Sequence, residues 1–222
     1  MPVSARLPSR MVQAPGHWED AYTVPTSMRF DAAWHQRRSR YGLWWIPVED
    51  AALIEYLAMA RACLGDWLHP QSRRQAHVTI FVNVFEPAAL HRTAEWTAAA
   101  QVSQRPDLAR RDRSPVLLTC RHPKSFTAAA CLPLDEPQGL IRRWRAALGR
   151  RRLEERSVAY VPHITLGVYR ARVAIAAVRD RLASMPVPPA GMLGNELCYG
   201  SYDPRDMAGP LTPRCRLRLS TS

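Results

Sequence analysis

The chain has 222 residues, 47% of them hydrophobic and 23% charged, and a net charge of +12. That is the make-up of a folded soluble protein with material for one large domain or two small halves. No run of about 18 apolar residues marks a membrane helix, and the five cysteines are odd in number with no CxxC pair, against a disulfide framework or a zinc ribbon.

In chain order, residues 1–39 read as an irregular arm, with Pro2, Pro8, Pro15 and Pro25 and no sustained period. It lacks the hydrophobic core of a secretory leader, so a cytoplasmic location with reduced cysteines is expected. Aromatic and β-branched residues predict a strand over 41–48. A helix is predicted over 49–68, with Leu53, Tyr56, Leu57, Ala60 and Leu64 on one face. A strand over 76–85 and a helix over 86–102 follow, then a polar connector at 107–115. Strands are predicted at 115–121 and 125–134. A helix over 136–152 has Leu140, Ile141, Trp144 and Leu148 on one side. The second half closes with a strand over 160–169, a helix over 171–185 ended by Pro186, Pro188 and Pro189, and strands at 195–203 and 214–220.

Each half contains one copy of a short pattern: His77-Val78-Thr79-Ile80 and His163-Ile164-Thr165-Leu166, 86 residues apart. On a strand, residues i and i+2 share a face. The apolar residues therefore seek a core, and the His and Thr of each copy face the other way, toward water or a ligand. One such strand is ordinary; two, placed symmetrically in the halves, are not. The pattern implies an internal duplication and an α+β fold of two pseudo-symmetric lobes over residues 40–222. Each lobe is a mainly antiparallel sheet covered by helices, with a groove between them.

Two imidazoles and two hydroxyls in one groove suit a phosphodiester. A neutral imidazole takes a proton from an attacking water and a protonated one gives a proton to the leaving oxygen. The hydroxyls donate to non-bridging oxygens as charge builds. The scheme requires no metal or other cofactor.

These residues resemble the two-histidine (2H) phosphoesterase superfamily, which includes 2'-5' RNA ligase-like proteins and 2',3'-cyclic nucleotide phosphodiesterases. Its hallmark is two H-x-[ST]-x motifs, matched here by HVTI and HITL. The resemblance runs from about Arg40 to the C-terminus, through WWIPVED, RRQAHVTIFV, SFTAAACL, YVPHITLGVY and the closing CYGSYDPRDMAGPLTPRCRLRL. It implies that His77 and His163 are acid and base and that Thr79 and Thr165 hold the phosphate. His163 is taken as the base and His77 as the acid, with the pseudo-symmetry leaving the roles interchangeable. The implied activity is opening of 2',3'-cyclic phosphates on RNA ends or small nucleotides, with 2'-5' ligation as the reverse. RNA or a cyclic nucleotide is the expected partner, with no membrane, and a monomer is expected. The alternative is a module that binds RNA or cyclic nucleotides in the same groove without turnover. The chain departs from many relatives in having Val168 where they carry Arg, and Val82-Asn83-Val84 where they continue Phe-Leu-Gly, which bears on how a nucleoside is gripped.

Other residues admit two readings each. Arg73 and Arg74 either contact phosphate from the groove rim or sit in a solvated strand entry. Phe126 and Tyr169 either stack a base or pack in the core. Arg150, Arg151 and Arg152, with Arg142, Arg143 and Arg145, suit a helix C-terminus. His17, His35, His69, His91 and His122 show no metal-ligand spacing, and no cysteine neighbours either motif in sequence.

Overall fold

The first two strands pair because both are rich in aromatic and β-branched residues and each has an apolar face to bury. The computed structural model describes residues 21–28, 40–70, 73–85, 114–149 and 160–220. β1 (Tyr41–Pro47) runs antiparallel to β2 (His77–Phe85), with Ile46 opposite Val78 and Trp45 opposite Thr79. Between them lies α1 (Ala51–Leu64), whose buried residues are Leu53, Tyr56, Leu57, Ala60 and Leu64, the face read from the sequence. The helix starts later than residue 49 because Asp50 is its N-cap, its side chain accepting from the Leu53 amide. It stops at Gly65, where φ of +50° suits glycine, and a 3-10 turn follows at Gly65–Trp67.

The second half repeats the plan. β5 (Ala129–Asp135), α2 (Leu140–Gly149) and β6 (His163–Val168) stand in the relation of β1, α1 and β2. Here too the helix starts later than predicted: Glu136 accepts from the Leu140 and Ile141 amides and so caps the helix start. The remaining elements are β3 (Val116–Cys120), β4 (Lys124–Ser125), α3 (Ile175–Ala183), β7 (Gly191–Gly194), β8 (Glu196–Tyr202) and β9 (Thr212–Arg218).

The strands join in one sheet of nine, ordered β7-β3-β5-β6-β2-β1-β8-β9, with β4 paired to β5. The two expected sheets are therefore two halves of one continuous antiparallel sheet, joined where β2 meets β6. The strand predicted over 125–134 is a hairpin, since β4 folds back on β5 with Lys124 opposite Cys131. β7 was not expected, because GMLG is short and glycine-flanked. The helix predicted over 86–102 and Arg150–Arg152 lie outside the described residues, as does most of the connector at 107–115.

All three described helices lie on one face of the sheet. Trp44, Ile46, Val78, Ile80, Leu132 and Ile164 pack there against α1, against Leu140, Ile141 and Trp144 of α2, and against Val178 and Leu182 of α3. A smaller cluster of Leu43, Trp45, Cys198 and Leu211 occupies the opposite face. Of the arm, residues 21–28 lie extended against the second half. The Thr23 amide donates to Val173 O, Val24 to Thr127 O and Thr26 to Tyr169 O. No helix among the described residues is long and apolar enough to cross a membrane.

Candidate active site

The central joint of the sheet is also where the two His-x-Thr strands meet. β2 and β6 are antiparallel neighbours with Val78 opposite Ile164, both 0% exposed in the main core. One residue to either side, the register sets His77 opposite Thr165 and Thr79 opposite His163. Because Val78 and Ile164 point into the core, all four motif side chains point to the face that the helices leave uncovered. Thr165 is exposed and the other three are partly so. Opposed residues of an antiparallel pair lie about 4.5–5.5 Å apart at Cβ and diagonal ones about 7–8 Å, so each imidazole has a hydroxyl across from it and stands diagonal to the other imidazole.

The ring orientation is set by the backbone. His77 Nδ1 lies 2.8 Å from Gln75 O, and His163 Nδ1 lies 2.7 Å from Val161 O. A carbonyl oxygen only accepts, so each Nδ1 carries the proton. Each Nε2 is then the ring nitrogen at which a proton can be taken or given. The partner is in both cases the carbonyl two residues before the histidine. No side-chain pattern encodes it, and sequence reasoning missed it.

The flanking strands continue the pseudo-symmetry. Pro47 of β1 lies opposite His77, and Pro133 of β5 opposite His163. Trp45 lies opposite Thr79, and Cys131 opposite Thr165. Pro47 and Pro133 share the 86-residue offset of the histidines, a signal that was present in the sequence and unused. Cys131 is a thiol beside the site that its sequence position did not reveal. Burial pushes its pKa up to about 12, so it stays a protonated thiol and a poor nucleophile. The Cys198 thiol, opposite Trp45, is likewise raised to about 12, first by burial and then by Glu196.

The residues proposed to bind substrate separate clearly. Phe126 stands beside the site, its ring edge-on to that of His163 with centroids 5.0 Å apart. Arg74 is engaged by the β8–β9 loop rather than presented at a rim. Its Nε donates to Gly209 O at 3.1 Å, its guanidinium lies 4.0 Å from the Tyr202 ring, and burial lowers its pKa. Arg73 is paired with Asp206 of the same loop at 2.8 Å. Tyr169 is a correction: it is 0% exposed, and its hydroxyl bonds Ser125 Oγ at 2.7 Å. A base cannot stack on it. Period-2 counting from His163 puts Tyr169 on the groove face, but the register shifts between Ala130–Gly167 and Cys131–Thr165. Leu166 is thus an extra residue, and a bulge of one residue turns every later side chain to the other face.

No protein-family model and no curated protein sequence matches the chain. Among solved structures it is similar to LigT of Escherichia coli in complex with 3'-AMP, with a TM-score of 0.57 and 17% identity over 82% of this chain and 99% of that one. It is similar to a protein described as a phosphoesterase, with a TM-score of 0.59 and 17% identity over 82% and 99%. TT0787 of Thermus thermophilus aligns with a TM-score of 0.52 and 14% identity over 81% and 97%. The chain has the fold of these structures, LigT among them. Within that fold the HVTI and HITL strands are the two central ones. LigT has also been crystallised with ATP, with NADP+ and with phosphate.

Proposed function

We propose that this chain is a phosphodiesterase that opens 2',3'-cyclic phosphates on RNA ends or small nucleotides, using His77 and His163 as the proton-transfer pair and no metal. The observation that supports the reading is the shared face: two imidazoles, each with its Nδ1 held by a backbone carbonyl, and two threonine hydroxyls, on the two central strands. In the scheme, His163 Nε2 takes a proton from water as its oxygen bonds to phosphorus. The bond from phosphorus to one ribose oxygen breaks, and His77 Nε2–H protonates that oxygen. Thr79 and Thr165 donate to the non-bridging oxygens, whose charge grows in the transition state. With a 5'-hydroxyl in place of water as the nucleophile, the same ring opening joins two RNA ends, the new P–O bond forming as the bond to one ribose oxygen breaks. The 3'-AMP held by the similar LigT fold is a ribose phosphate of the class such a site would produce.

In this reading Phe126, whose ring stands edge-on to His163, contacts the nucleoside attached to a phosphate held there. The test is a panel of 2',3'-cyclic mononucleotides, RNA with a cyclic end, 2'-5' oligonucleotides and ADP-ribose cyclic phosphate. It is run in EDTA, with products separated by phosphate position. Turnover of the cyclic phosphates supports the reading. Binding without turnover of any member points instead to a ligand-binding module.

A further inference from the structure

Each His-x-Thr motif ends in a bulge, and each bulge is held from the opposite half of the chain. On β2 the register passes from Trp45–Thr79 to Trp44–Phe81, so Ile80, the fourth residue of the first motif, is the extra one. On β6 the extra residue is Leu166, the fourth of the second motif. A bulge disrupts the hydrogen-bond ladder and re-aims the side chains around it, here one residue past each threonine. Ile80 is 0% and Leu166 5% exposed, so water is not available to replace a lost partner.

The partners are two arginines. Arg145 of α2, in the second half, donates from Nη1 to Ile80 O at 2.5 Å. Its guanidinium lies 3.9 Å from the ring of Tyr160, whose hydroxyl donates to Thr79 O at 2.8 Å. Arg145 and Tyr160 thus fasten two consecutive carbonyls of the first motif. Arg61 of α1, in the first half, donates from Nη1 to Leu166 O at 2.8 Å and from Nη2 to His69 O. The exchange follows from the packing, since α1 lies on β6 and α2 lies on β2. Gly167 makes room for it: a Cβ there would stand 2.8 Å from Arg61 Nη1 and 2.9 Å from Leu68 Cδ1. A guanidinium keeps its charge when buried and offers several donors in a fixed plane, and a charged donor makes the stronger bond to a carbonyl.

We infer that Arg145 and Arg61 are crossed positioning residues: Arg145 sets the aim of Thr79 in the first motif, and Arg61 sets the aim of Thr165 in the second. Each half of the protein thereby tunes the other half's share of the site. The catalytic part of this inference rests on the proposed phosphodiesterase reading; the positional part does not.

The experiment uses the full chain with Arg145→Gln, Arg61→Gln, the conservative Arg145→Lys and Arg61→Lys, and Gly167→Ala, which displaces Arg61 without altering it. Two readouts are taken. The first is NMR of labelled threonine methyls: Arg145→Gln should shift Thr79 and leave Thr165 in place, and Arg61→Gln and Gly167→Ala should do the reverse. The second is turnover of 2',3'-cyclic AMP at a temperature where every variant is folded. Each Gln variant should lose roughly 10–100-fold in kcat, as when a ligand-orienting partner is removed, and each Lys variant should recover part of it. In double-mutant cycles Arg145→Gln should be non-additive with Thr79→Val and additive with Thr165→Val, and Arg61→Gln the converse. Equal shifts of both threonines, shifts of neither, or additivity throughout would overturn the crossed assignment. A wild-type chain inert toward every cyclic phosphate would overturn the functional reading, and the methyl shifts would still decide the positional one.

Discussion

Ile164 and Thr165 are adjacent in sequence and face opposite sides of the central strand, so truncating one and then the other should produce opposite kinds of damage. Ile164 is 0% exposed and sits across from Val78 where the two halves of the sheet meet. Ile164→Ala removes buried carbon at a joint walled by both halves, and a cost of about 2–5 kcal/mol is expected. For a chain of this size each kcal/mol moves Tm by about 2–4 °C, so the melt should fall by roughly 4–20 °C. Thr165 is exposed. Thr165→Val keeps the shape, loses the hydroxyl, and should leave stability within about 0.5 kcal/mol. Its cost should appear in the rate, as about a 10–10³-fold loss, the size of one missing oxyanion donor. Thermal melts by circular dichroism, paired with turnover of 2',3'-cyclic AMP well below Tm, separate the two effects. A Thr165→Val protein that melts early but turns over normally would refute the facing of the whole strand, and with it the site.

Three further outcomes are expected. Thr23 is buried, and its hydroxyl donates to Ala171 O and accepts from the Val173 amide, both at 2.8 Å; Thr23→Val should therefore lower stability by about 1–3 kcal/mol, and an unchanged urea midpoint would show that residues 21–28 do not brace the second half. The Cys131 and Cys198 thiols have pKa values near 12 in the folded chain against about 8.5 unfolded. The folded state then holds more protons between those values, so stability should fall as pH rises from about 9 toward 12, and Cys131→Ala with Cys198→Ala should flatten that slope in denaturant titrations. Excess EDTA should leave turnover intact; loss on chelation, restored by zinc or manganese, would show that the two-imidazole scheme is incomplete.

Much of this protein was legible because its strands and helices obey simple periods. The apolar face of α1 was read residue for residue, and period 2 sent His77, Thr79, His163 and Thr165 to one side. What was hidden lay mostly in backbone events with little side-chain signature. The bulge at Leu166 is marked only by Gly167 beside it, a signal the strand reading did not use, so counting past it put Tyr169 on the wrong face. The Nδ1 contacts of both histidines go to main-chain carbonyls. β7 pairs through backbone groups of a four-residue segment with two glycines, too short for a period to show. Arg74 read as a rim cation because its partners, Tyr202 at the end of β8 and Gly209 O in the β8–β9 loop, lie far along the chain.

The central claim is that two imidazoles on the central strands move the protons. The direct measurement is kcat/KM for 2',3'-cyclic AMP against pH, in EDTA, for the parent, His77→Ala, His163→Ala and the double variant. The parent should give a bell, because one ring must be neutral while the other is charged. Each single variant should lose roughly 10²–10⁴-fold, and the double variant less than the product of the two losses, since both groups act on one transition state. A His77→Ala protein that stays folded and opens the cyclic phosphate at the parent rate, with the bell unchanged, would contradict the account.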